Sequence, residues 1–220
     1  MKKPVTLYIL LLALSIGVLF LLNLFLGSVD IPFRSIWNIL WGMDEGESVI
    51  WQNIIWKSRV PQALTAMVAG AGLAVSGLQM QTVFRNPLAG PSVLGISSGA
   101  SLGVAFVVLL SGSIGGIALS RLGFMGEIAL TMAAIIGALS IMALIVYVSQ
   151  KVHGNVTLLI IGVMIGYVAN AVIGVLKFFS VEEDIRAYVI WGLGSFARVS
   201  GNHMMVFVCI MAVLLPLSFL

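Results

Sequence analysis

The chain alternates between long apolar runs and short clusters of charge. Six stretches hold no Asp, Glu, Lys or Arg: residues 4–29, 60–84, 86–120, 128–150, 154–176 and 199–220. About 20 apolar residues are enough for one helical crossing of a bilayer whose hydrocarbon layer is about 30 Å thick. The pattern therefore predicts six transmembrane helices, roughly 5–27, 61–83, 93–111, 127–149, 157–177 and 202–220. The expected fold class is an all-α integral membrane protein, a polytopic helical bundle.

Between the first two spans the period changes. In "IPFRSIWNILW", Phe33, Ile36, Trp37, Leu40 and Trp41 recur at i, i+3, i+4, i+7 and i+8, the signature of one apolar helix face. Ile50, Trp51, Ile54 and Ile55 repeat it. Residues 28–58 are thus expected to hold two amphipathic helices lying in the membrane interface, in contact with lipid. Short turns are expected at 84–92 and 150–156.

Small residues mark where membrane helices approach closely, because lipid gives apolar side chains no reason to prefer each other. In the second span Ala63, Ala66, Gly70, Ala74, Gly77 and Gln81 form one stripe. Gly95, Gly99 and Gly103 do the same in the third span, and Gly162, Gly166, Asn170 and Gly174 in the fifth. Glycine packing accounts for most of this. Asn170 is more pointed, since an amide at mid-span needs a partner on another helix or in a wet path.

Composition and charge narrow the reading. Sixty per cent of the 220 residues are hydrophobic and 9% are charged, against roughly 25% charged in soluble domains. With the N-terminus in the cytoplasm, Lys2, Lys3, Arg85 and Lys151 fall inside. Asp30, Asp44, Glu45, Glu47, Glu127, Glu182, Glu183 and Asp184 then all fall outside. Short basic inner loops fit the positive-inside rule, although the longer outer loops hold more basic residues in total. All five tryptophans (Trp37, Trp41, Trp51, Trp56, Trp191) also share the outer side, and Leu220 returns to the cytoplasm. The first apolar run exceeds 20 residues and no A-x-A cleavage site follows it, so it reads as a retained helix rather than a signal peptide.

Much chemistry is excluded. There is no G-x-x-x-x-G-K-[ST] phosphate loop, so ATP use would require another chain. No acid lies deep in a span, which argues against a proton-coupled carrier. Cys209 is the only cysteine, and His153 and His203 lie far apart, so neither a disulfide nor a metal site is expected. No catalytic constellation and no resident cofactor are expected.

The stretch "RNPLAGPSVLGISSGASLG", residues 85–103, must stop a helix. Pro87 and Pro91 each remove an amide donor, and Asn86 and Gly90 are steered away from helical angles. The next helix is expected to begin at Ser92 or Val93.

Residues 58–103, "SRVPQALTAMVAGAGLAVSGLQMQTVFRNPLAGPSVLGISSGASLG", resemble the hallmark region of the permease subunits of bacterial ABC importers for iron-siderophores, haem and cobalamin. The layout is similar over the whole chain, with a long outer loop after the first span and "WGLGSF" after the fifth. The resemblance implies a single transmembrane domain over residues 1–220, supplying about six of about ten family helices. The coupling loop that follows the sixth span in the family would then lie beyond Leu220.

The resemblance also implies partners and roles. A second permease chain would complete a homodimer, with two cytoplasmic ATPase subunits and a periplasmic binding protein in the inner membrane assembly. No nucleic-acid partner is implied. By position, Asn86 and Leu88, together with Gly154, Asn155, Val156 and Thr157, match a cytoplasmic gate. Met164, Tyr167, Asn170 and Ala171 are candidates for lining the translocation path. Arg59, with help from Lys57, matches a residue that receives an acid of the binding protein. The family pattern R-x-P-R departs here, because Gln62 replaces the second arginine. The alternatives are a non-transporting membrane scaffold and a gradient-driven carrier.

Overall fold

A computed structural model of the chain describes residues 3–43, 46, 48–115, 124–152, 154–197 and 199–219. Lys2, Asp44, Glu45, Glu47, His153 and Leu220, used above, lie outside the described residues. The described chain is helical throughout: α1 (Lys3–Phe25), α2 (Phe33–Leu40), α3 (Val49–Ile54), α4 (Val60–Phe84), α5 (Ile96–Gly115), α6 (Phe124–Ser149), α7 (Asn155–Phe178), α8 (Glu182–Gly192) and α9 (Gly201–Leu217). α1, α6, α7 and the continuous run Val49–Phe84 are each long and apolar enough to cross a membrane, while α9 is a shorter apolar helix.

The chain divides into two compact units, residues 1–72 with 196–220, and residues 73–195. In the first, Ile31, Ile36, Ile39 and Ile55 form a buried cluster bordered by Phe25, Leu40, Trp51 and Val60. α2 splits its apolar residues between two faces. Ile36 and Ile39 turn inward, whereas Phe33, Trp37 and Trp41 remain exposed. These rings continue from Phe25 in a row, with centroids 4.7, 6.3 and 5.8 Å apart.

The second expected interfacial helix is not separate. α3 begins at Ser48, whose hydroxyl accepts from the Ile50 amide at 3.3 Å, and runs on through a π-helical turn, Ile55–Arg59, into α4. The physical reason is Pro61. Its missing amide tolerates a register change, and the Val60 N–H reaches back five residues to the Ile55 carbonyl.

In the second unit, glycines set the helix spacing. A Cβ added at Gly103 would overlap the Ala133 carbonyl, and one at Gly99 would lie 2.7 Å from the Gly137 carbonyl, so α5 and α6 touch backbone to backbone. Near the start of α5, a Cβ at Gly95 would lie 2.9 Å from the Gly162 carbonyl of α7, and one at Gly162 would lie 2.8 Å from Leu94. Gly166 is in ordinary contact with Ser98. Gly70, Gly77 and Gly174 differ from expectation: a Cβ there would meet nothing within 4 Å. These three positions are open within the described chain, although Gly162 and Gly166, of the same α7 stripe as Gly174, are packed.

Two buried clusters sit at opposite ends of α7. Phe84, Ala89, Leu94, Ile145 and Leu159 gather near its start. Val104, Ala105, Val108, Leu109, Ile173 and Tyr188 gather near its end. Tyr188 belongs to α8, a helix in the segment expected to be a loop. The signal was present as Ile185, Tyr188 and Trp191, spaced three apart and all facing that cluster.

Candidate functional site

The segment between α4 and α5 is ordered by hydrogen bonds rather than by bulk. α4 ends with Arg85 in the left-handed conformation, φ 49°. The Asn86 N–H donates to the Gln81 carbonyl at 3.1 Å and the Arg85 N–H to the Thr82 carbonyl at 3.3 Å. This pair of bonds closes a helix end where glycine is the usual occupant. The Asn86 side chain then accepts from the Leu88 amide at 2.9 Å, and its carbonyl accepts from the Ala89 amide at 3.1 Å. An Asx turn and a β-turn are thereby nested around Pro87.

Two side chains fasten this turn. The Gln81 amide donates to the Pro87 carbonyl at 3.2 Å, and the Asn155 amide donates to the Val83 carbonyl at 3.0 Å. The second bond spans 72 residues and joins the turn to the first residue of α7. Gly154 caps that helix at φ 110°, and its carbonyl accepts from Leu158 at 3.2 Å. The structure thus brings Asn86 and Gly154–Thr157 to one end of the unit. Ala89 is buried, while Leu88 is 83% exposed and Val156 is also exposed.

α5 begins at Ile96, three to four residues later than expected. Residues 91–95 form turns first, with the Val93 N–H on the Gly90 carbonyl at 3.0 Å and the Gly95 N–H on the Ser92 carbonyl at 3.1 Å. Gly95 sits at φ 73° with α7 backbone against it. Only glycine satisfies both conditions at once.

An open cavity of about 280 Å³ lies beside this entry, lined by Ser92, Gly95 and Ser98 together with Gly166, Tyr167 and Asn170 of α7. Tyr167 and Asn170 were expected on such a surface. Ser92 and Ser98 were not singled out for it, because only the late start of α5 presents them. Met164 and Ala171 are exposed on α7 but do not line this cavity. The lining offers hydroxyls and an amide and no formal charge.

Sequence resemblance places Arg59 at a docking surface; in this chain it is only 5% exposed. Its guanidinium donates to the carbonyls of Leu24 at 2.6 Å, Phe25 at 3.2 Å and Val29. The first two close α1 and the third follows it, where carbonyls lack helical partners and positive charge is favoured. Gly27 leaves the room, since a Cβ there would stand 2.7 Å from the guanidinium. The side chain is thus held inside its own unit by three carbonyls. Lys57, on the same π-turn, is the exposed cation. Gln62 donates to Ser58 at 2.9 Å and to the Ala197 carbonyl at 3.4 Å.

Comparison with known proteins agrees with the helical fold. The chain is 35% identical over 182 residues to the hemin transport system permease protein HmuU of Yersinia pestis, covering 82% of this chain and 51% of that protein. It is 34% identical over 185 residues to the vitamin B12 import system permease protein BtuC of Pectobacterium atrosepticum, covering 84% and 51%. A solved structure, in an inward-facing conformation, of a transporter assigned to the metal-chelate ABC type superimposes with a TM-score of 0.70 at 26% identity, covering 92% of this chain and 57% of that one. The chain spans about half the length of the curated relatives it matches. Residues 12–220 match the FecCD transport family, and the chain belongs to that family.

Proposed function

We propose that the chain is the membrane-spanning permease portion of an ATP-driven importer that carries a large metal chelate (haem, cobalamin or a ferric siderophore) across a bacterial inner membrane. The observation that carries this reading is the family match over 12–220, with relatives named for hemin and vitamin B12 transport. The geometry agrees with it. A proline-bounded turn tied to the start of α7 by the Asn155–Val83 bond, with Leu88 projecting from it, is a joint that two helices share.

In this reading the N-terminus is cytoplasmic, and Asn86, Leu88 and residues 154–157 narrow the cytoplasmic end of the path. Tyr167 and Asn170 face the path, with Ser92 and Ser98 beside them. ATP is hydrolysed by two separate cytoplasmic subunits, a second permease chain completes the dimer, and a periplasmic binding protein delivers cargo. Lys57, rather than Arg59, is the cation available to that partner. The chain itself does no covalent chemistry and holds no cofactor.

The test is reconstitution of the full-length protein with its ATPase and binding protein in proteoliposomes, offering haem, cobalamin and a ferric siderophore separately. ATP-dependent uptake of one of them supports the reading. Uptake driven by a proton gradient without ATP, or none with a binding protein shown to be loaded, overturns it.

A further inference from the structure

α8 carries three acids in its first turn, Glu182, Glu183 and Asp184. The first two are exposed. Asp184 is not: it is 7% exposed, and Tyr188 one turn on is 8% exposed. The Oδ2 of Asp184 is shielded from solvent and has no hydrogen-bond partner among the described residues. A buried carboxylate oxygen without a partner is costly, and the neutral acid escapes most of that cost. Burial accordingly pushes the Asp184 carboxyl above its ordinary range, and the neighbouring charge of Glu183 pushes it further. The helix N-terminus favours the ionised form, but that effect is outweighed here.

Few charged groups surround Asp184 among the described residues. On α8 itself the other ionisable groups are Glu182, Glu183 and Arg186, all exposed, and Tyr188. α7 brings Lys177, whose Nζ sits 4.7 Å from the centroid of the Tyr188 ring. α5 brings no titratable residue, though its Ser101 hydrogen-bonds the Tyr188 hydroxyl. α6, whose Leu130 and Ala134 border the same core, brings Glu127 in its first turn. Thus the elements packed on α8 add one cation, placed over a ring, and one acid.

The seat of α8 is apolar. Tyr188, Ile185 and Trp191 pack on Val104, Val108, Leu109 and Ile173, and the connection from α7 is braced by the Ser180 hydroxyl, which donates to the Leu176 carbonyl at 2.6 Å and to the Leu109 carbonyl at 3.2 Å. Asp184 is the one ionisable carboxylate drawn into that contact.

We propose that α8 is a proton-operated latch at the C-terminal end of α7, seated on α5 and α7 while Asp184 carries its proton and released when Asp184 gives that proton to solvent. The seated form binds the proton more tightly than the released form. Seating is therefore favoured at low pH and weakens as pH rises through the seated carboxyl's elevated range. Each unit of elevation corresponds to a tenfold change in the seated-to-released ratio between the two limits. The inference needs nothing of the transport reading.

Hydrogen exchange of the amides at 182–192 tests it, in the full-length protein held in nanodiscs of neutral lipid, from pH 3 to pH 7.5 after correction for intrinsic exchange. Protection of α8 should fall severalfold as pH rises across that range while α6 stays constant. Asp184→Asn, which keeps the shape and cannot ionise, should give a flat profile. Glu183→Gln, an exposed change that leaves the seat intact, should keep the transition and move it to lower pH. A flat wild-type profile, a transition surviving in Asp184→Asn, or no displacement in Glu183→Gln would each overturn the latch.

Discussion

The Nη1 of Arg59 donates to the carbonyl oxygen of Leu24 at 2.6 Å, tying the last turn of α1 to the π-turn ahead of α4. With Phe25 and Val29 also served by the same guanidinium, one side chain satisfies three carbonyls. Arg59→Ala should lower stability by about 3 kcal/mol, because each bond to a charged donor contributes about 1.5–3 kcal/mol and the bonds are not additive. Arg59→Lys should recover less than half of the loss, since an ammonium lacks the planar fork. Thermal unfolding in detergent measures both.

Docking of a binding protein separates Arg59 from Lys57. Lys57→Glu should weaken affinity and reduce its salt dependence while leaving thermal stability within about 0.5 kcal/mol, as for an exposed site. Arg59→Lys keeps the charge, so any loss of affinity it causes should track its loss of stability. Affinity measured at two salt concentrations beside a melting curve decides the case. A stable Arg59→Lys that no longer docks would restore Arg59 to the surface role.

The turn at residues 85–89 predicts a split between folding and movement. Asn86→Ala removes the Asx bond to Leu88, and Asn155→Ala removes the bond to Val83. Each should cost about 1 kcal/mol of stability, too little to change expression greatly. ATP-coupled uptake by the full-length protein should change several-fold, because the turn and the start of α7 no longer move as one. Lowered expression with unchanged uptake per molecule would make the bonds structural only.

What the sequence told and what it withheld follow from the range of the forces involved. The four helices long and apolar enough to cross a membrane are legible because hydropathy acts locally over about 20 residues, and the expected third and sixth spans appear as shorter apolar helices among the described residues. The turn between α4 and α5 is legible only in part. The prolines announce a stop near Asn86, but the late start of α5 depends on Gly95 meeting Gly162 and Gly166, a contact between residues far apart in the chain. The burial of Arg59 is hidden for the same reason. Its motif suggests a surface cation, while its burial arises from carbonyls about 30 to 35 residues upstream that no local pattern reveals. Trp191 and Tyr188 show the opposite case, a helical period present in the sequence and passed over because the segment is short and acidic.

Glycine substitutions give the sharpest contrast. Gly103→Ala forces a methyl into the Ala133 carbonyl, and neither backbone has a flexible end to move aside. It should cost about 1–3 kcal/mol, the usual penalty for overpacking. Gly174→Ala meets open space in helical conformation, so within this chain it should be neutral or stabilising by up to about 1 kcal/mol through helix propensity. Unfolding of the two variants, measured side by side in the same detergent, should place them on opposite sides of wild type. If Gly174→Ala instead destabilises the full-length protein, the face of α7 that carries Asn170 and Gly174 is covered there by a helix outside residues 1–220.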